Sequence, residues 1–114
     1  MNNSILTSIK EMLGIAEEYT HFDQVLVRHI NSVFMILSQM GVGPLEGFTI
    51  QDAGQIWSDF VSEEDNLEAV KSYVFHRVQL AFDPPSSSTI IESTNRIINE
   101  LEWRLYTASE FTSY

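Results

Sequence analysis

Cysteine is absent from this 114-residue sequence, which excludes both a disulfide framework and a thiolate metal site. Basic residues are scarce as well. Six Lys and Arg stand against sixteen Asp and Glu, for a formal net charge of −10 and a pI near 4.4. The six (Lys10, Arg28, Lys71, Arg77, Arg96 and Arg104) are scattered along the chain. A phosphate-binding surface needs them clustered, so free nucleic acid is not an expected ligand. No stretch approaches the ~20 apolar residues of a membrane helix, and "MNNSILTSIKEML" has no basic segment ahead of a long apolar run, so it does not read as a signal peptide. The expectation is one soluble, acidic domain made inside the cell.

Catalytic signatures are missing too. His21, His29 and His76 stand in no HExxH-like spacing, and His29 reads as a hydrogen-bonded core or edge residue. "GVG" at 41–43 continues into neither GxxxxGK[ST] nor GxGxxG and reads as a helix stop plus turn. "SSS" at 86–88 has no GxSxG elbow around it and reads as capping. "SEEDN" at 62–66 lacks the alternating oxygen ligands and central glycine of a calcium loop. No enzyme, cofactor or metal site is expected.

What the sequence does have is apolar residues, 44% of the total, arranged at helical spacing. Residues 4–13 put Ile5, Ile9 and Met12 or Leu13 on one face, and Gly14 ends that helix. Thr20 and Asp23 have capping-box spacing. Over 21–40, Phe22, Leu26, Ile30, Val33, Leu37 and Met40 form a stripe, widened by Val25, His29, Phe34 and Ile36. Gly41 is the natural residue to follow this helix. Thr49 and Asp52 repeat the cap spacing ahead of a short helix over 51–61 with Ile56, Trp57, Phe60 and Val61; Gly54 weakens it. Asp65 and Glu68 cap a helix over 66–82, with Leu67, Val70, Val74, Val78 and Ala81 or Phe82 inward. In "LAFDPPSSSTIIES" the two prolines stop that helix near Phe82, because each disfavours helical geometry before it and lacks an N–H. Thr89 and Glu92 form a capping box for a last helix over 89–107, with Ile90, Thr94, Ile97, Leu101 and Leu105 inward. So short a connection predicts that the last two helices form an antiparallel hairpin. The fold class is all-α: a single helical bundle over 1–107, followed by a tail, 108–114, that docks on a partner.

Several aromatic residues stand outside these stripes. Trp57 lies in the short helix between loops. Trp103 lies about 200° from Leu101 at ~100° per residue, off the inward face of the last helix. Phe111 and Tyr114 belong to the aperiodic tail "TASEFTSY". Large aromatics away from the core are favoured in protein contacts.

The segments "ILTSIKEMLGI", "INSVFMILSQMGVGP", "LAFDPPSSS" and "ELEWRL" resemble, in order and over nearly the whole chain, the small head–tail connector (adaptor) proteins of long-tailed bacteriophages. The resemblance implies an α-helical bundle that assembles into a twelve-fold ring below the portal protein. It also implies a virion-neck location, a DNA channel through the ring and a surface for the stopper or tail-completion protein. The C-terminal segment would grip the portal, which makes Ser109, Glu110, Phe111, Thr112, Ser113 and Tyr114 candidate portal contacts. The 41–48 and 61–66 loops face ring neighbours or the next component on this reading; Trp57, Trp103, Val42, Leu45 and Phe48 are the candidate contacts. DNA passes through without specific binding.

Two other readings stand beside this one. An acidic decoy that mimics DNA fits the charge, but the carboxylates are spread along the chain instead of gathered on one face. A small helical interaction module fits the pattern alone.

Overall fold

The computed structural model describes residues 4–44, 46–61 and 64–112, without the side chains of 64–66 and 108–112. Among the described residues the chain forms five helices: α1 (Ile5–Leu13), α2 (Asp23–Gln39), α3 (Trp57–Phe60), α4 (Glu64–Phe82) and α5 (Ser88–Thr112). No strand forms among them; the one β-type pairing is an isolated bridge between Ser4 and Ile56. Helix α4 is the centre, packing against α1, α2 and α5.

Helix α1 begins where the Ser4 hydroxyl accepts the Thr7 N–H at 3.2 Å, satisfying one of the donors left free at a helix start. Helix α2 begins after Phe22 with no side-chain cap. The Thr20–Asp23 capping box is therefore not made, because Asp23 is held by Lys10 instead, at 2.9 Å. At its other end Gly41 takes φ 85°, which lets Val42 N–H reach back to the Leu37 carbonyl and Gly41 N–H to that of Ser38. These two bonds close the helix as a left-handed turn does, with Val42 folded onto the core.

The expected helix over 51–61 contracts to four residues. Asp52 and Gln55 account for the difference. The Asp52 carboxylate accepts Gly54 N–H at 2.7 Å and the Gln55 amide oxygen accepts the N–H of Gln51 and Asp52. These local bonds favour turn over helix. The Thr49–Asp52 cap is thus not formed; the start of α3 is secured by Asp59, whose carboxylate accepts Ile56 N–H at 3.1 Å.

Helix α4 ends at Phe82, ahead of the two prolines. Helix α5 starts at Ser88, one residue earlier than the sequence suggests, and Ser87 caps it through a 3.4 Å bond from Ile90 N–H. The Thr89–Glu92 box is not used, since both residues already lie inside the helix. At its far end α5 continues to Thr112, five residues beyond the predicted stop.

The core gathers Ile5, Leu6 and Ile9 of α1, Leu26, Ile30, Val33, Phe34 and Leu37 of α2, Ile50, Trp57 and Phe60 of the middle segment, and Val70, Tyr73, Val74 and Val78 of α4. Phe34 is its hub, with ring centroids 4.5 Å from Phe60, 5.3 Å from Phe48 and 6.4 Å from Trp57. Packing there is close enough that a Cβ on Gly43 would meet the Phe60 ring at 2.4 Å. Among its described side chains, helix α5 adds only Thr94, Ile98 and Leu105 to the fully buried set. Ile90 and Ile97, expected inside, are exposed, and their neighbours Ile91 and Ile98 turn inward instead. Phe22 and Val25 of the predicted α2 stripe and Met12 of α1 also face outward.

Candidate functional site

Three groups of polar residues hold the helices where their surfaces become available. The first is Lys10, whose residue is only 2% exposed. Its ammonium pairs with Asp23 and donates to the carbonyls of Glu17 and Tyr19, at 2.9 and 2.8 Å. Two hydrogen bonds to carbonyls and one close opposite charge surround the ammonium, which is the condition for a buried cation to be tolerated. It thereby shapes the α1–α2 connection, where Phe22 meets Tyr19, His21 and Phe82 edge to face. The second is Asn31. Its side-chain amide accepts Ile50 N–H at 2.7 Å and donates to Ile50 C=O at 3.0 Å, fixing the 41–56 segment against α2.

The third joins α4 to α5. Tyr73 donates its hydroxyl proton to Glu102 at 2.8 Å and accepts from Arg77 Nε at 3.0 Å, while Arg77 also pairs directly with Glu102. The Arg77 guanidinium lies 5.5 Å from the Tyr73 ring centroid. Burial, reinforced by the bond to Glu102, pushes the Tyr73 phenol up to about 12. Burial alone would raise the Glu102 carboxyl, but the hydrogen bonds from Arg77 and Tyr73 and the positive charge of Arg77 outweigh it and hold that carboxyl below its ordinary value. Beside this clamp a groove of about 310 Å³ is lined by Arg77, Leu80, Ala81, Asn95, Ile98 and Asn99. Its polar groups are amides and a guanidinium already committed to Glu102, a set suited to holding surfaces together.

His76 lies next to the clamp on α4. Its Nδ1 is buried without a hydrogen-bond partner among the described residues, and burial pushes the imidazole below its usual 6.5. His29 is half-buried with its ring 6.4 Å from that of Phe82. Among the described residues no three His, Asp or Glu side chains converge on a metal position.

The sequence-derived contact candidates separate cleanly by exposure. Trp57 is 1% exposed; its indole N–H donates to Ser8 Oγ at 3.1 Å and the Lys71 ammonium sits 5.9 Å from its ring. Trp57 and the buried Val42 serve this chain's own core and offer no surface. Phe48 is half-buried against Phe34 and Phe60. Trp103, by contrast, is 68% exposed, with Tyr106 at 50% on the same helix. Leu45, Ser113 and Tyr114 lie outside the described residues, as does part of the 61–66 loop. Ser109, Glu110, Phe111 and Thr112 have a described helical backbone without described side chains. The sequence reading missed Lys10, Asn31 and the Tyr73–Arg77–Glu102 clamp. The i,i+4 spacing of Tyr73 and Arg77 was its only local signal.

The basic residues are largely used internally. Lys10, Lys71, Arg77 and Arg104 pair with Asp23, Glu68, Glu102 and Glu100. The exposed surface is consequently governed by carboxylates. No described helix is long and apolar enough to cross a membrane.

The described residues thus form an all-helical fold with Trp103 and Tyr106 exposed on its last helix. Among known families, the one described as phage connector protein matches residues 5–112, so this chain belongs to the phage connector family. No curated protein and no solved structure matches it.

Proposed function

We propose that this protein is a structural, non-enzymatic component of the virion neck. Copies close into a ring, twelve-fold as the resemblance implies, that docks on the portal, extends the DNA channel and offers an attachment surface to the stopper or tail-completion protein. The observation that carries this reading is the family match across all five helices. In the proposed ring α4 and α5 stand as an antiparallel hairpin. That arrangement is supported by Leu80 and Ala81 near one end of the connection sharing a groove with Asn95 and Ile98, while Tyr73 and Arg77 meet Glu102 further along.

The acidity has a place in this reading. A ring of chains, each at −10, repels the phosphate backbone wherever its carboxylates line a channel, which keeps passing DNA from adhering. The C-terminal residues 108–114 are assigned to the portal contact.

The test is the mass of the purified protein alone and with the portal protein encoded beside it, by native mass spectrometry. The expected result is a ring-sized complex on the portal that is lost when residues 108–114 are deleted. A chain that ignores the portal and instead binds a basic partner in a salt-sensitive manner would establish the acidic-decoy reading in its place.

A further inference from the structure

The groove between α4 and α5 has one wall of Arg77, Leu80 and Ala81 and another of Asn95, Ile98 and Asn99. Its volume of about 310 Å³ lies within the range of binding sites. Arg77 is the one charged residue lining it, and that charge is balanced by Glu102. The groove therefore does not select for an anion. Leu80, Ala81 and Ile98 supply an apolar surface. The polar groups left to it are two amides: Asn95 and Asn99 are exposed, and neither side chain makes a hydrogen bond with a described residue.

A side-chain amide carries a donor and an acceptor, the same pair that one residue's main chain presents. Asn31 shows the match within this molecule, accepting Ile50 N–H at 2.7 Å and donating to Ile50 C=O at 3.0 Å. Asn95 and Asn99 stand about one turn apart, ~6 Å along the helix axis. In an extended chain, alternate residues turn their main-chain groups to the same side and lie about 6.7 Å apart. The two amides thus fit two alternate residues of an extended segment. A helical segment does not fit them, because its main-chain groups are already bonded to one another.

We propose that this groove grips an extended, uncharged segment of another protein by its main chain. Asn95 holds the N–H and C=O of one residue, Asn99 holds those of the residue two further on, and an apolar side chain rests on Leu80, Ala81 and Ile98. A second copy does not supply the segment from its described residues. Lys10 holds the connection after α1, Asn31 holds the one before α3, and the connection after α4 has adjacent prolines without N–H groups. The described C-terminal residues are helical. This site is separate from the contact assigned to residues 108–114. It rests on the connector reading only for the source of the segment, a neighbouring component of the neck.

The test uses the full chain and short overlapping peptides that tile the portal and the other proteins encoded beside it, with binding read by fluorescence anisotropy. One peptide is expected to bind. Asn95→Leu and Asn99→Leu each weaken it about tenfold, the loss of two hydrogen bonds, with the circular dichroism spectrum unchanged. Methylating the peptide's main-chain nitrogen at either gripped residue abolishes binding, and methylating the residue between them does not. Absence of any binding peptide at millimolar concentration overturns the proposal. So does binding that survives both leucine substitutions, or that responds alike to methylation at every position. A ring-sized complex on the portal without peptide binding overturns the groove contact and leaves the connector reading standing. Peptide binding with the expected pattern but no complex on the portal supports the groove and overturns the connector reading.

Discussion

Two regions of this molecule are ordered in opposite ways. The first, comprising α1, α2 and the segment up to Phe60, places polar groups inside and satisfies them there: Lys10 with three oxygens, Asn31 with both backbone groups of Ile50, Trp57 with Ser8. The second, α5, is a 25-residue helix that buries few of its described side chains fully and is tied to α4 by a partly buried clamp. The first region is specified internally, by packing and buried hydrogen bonds. The second presents more surface than it buries among its described side chains.

The sharpest way to break this contrast is to attack the hub of the first region. Phe34→Ala removes the ring around which Phe48, Trp57 and Phe60 pack, and is expected to cost about 3–5 kcal/mol in urea denaturation. A loss below about 1 kcal/mol would mean that the aromatic cluster does not organise the fold.

A step smaller is Lys10→Met. The replacement is close in volume but leaves Asp23 without its cation and the Glu17 and Tyr19 carbonyls without a donor. An expected loss of ~3 kcal/mol follows from breaking one side of a buried pair, with hydrogen exchange rising first in residues 15–22. Equal or greater stability would show that the pair can be replaced by apolar packing.

The smallest effect belongs to the clamp and is read through pH. The folded-state value of Glu102 lies below its ordinary 4.5, so its contribution is fully present above that ordinary value and is lost as pH falls through the folded one. His76 acts in the same direction in a higher window. Its folded value lies below 6.5, so stability declines as pH drops under 6.5 toward that value. Stability measured against pH should therefore fall in two stages on acidification. Glu102→Gln is expected to flatten the lower stage and leave the upper one unchanged; a curve superimposable on the native one would remove the clamp from the account.

The same contrast explains what could be read from the sequence. Helices α1, α2 and α4 follow from apolar spacing, and the stop at Phe82 follows from the prolines alone. Two errors have different origins. The segment before α3 satisfies a cap spacing at Thr49 and Asp52, but the side chains of Asp52 and Gln55 are taken up by local turn bonds, while Asn31, nineteen residues earlier, holds the Ile50 backbone against α2. In α5 the doublets Ile90–Ile91 and Ile97–Ile98 satisfy an inward stripe equally well in either register. The rotation is chosen by Glu102 meeting Tyr73 and Arg77, which no local pattern records. Of the surface candidates, Trp103 was legible because it departs from every stripe. Trp57 departed from them for another reason: a four-residue helix is too short to show a stripe, and its tryptophan closes the core.

The pairing of Asn31 with Ile50 has a consequence for engineering and for divergence alike. It grips main-chain atoms only, so the identities of the exposed residues on either side, Thr49 and Gln51, are not fixed by that bond. One side chain on a helix thus acts as a docking pin for a loop whose outward lettering can be rewritten. New binding specificity could be grafted there while the bundle beneath keeps its shape.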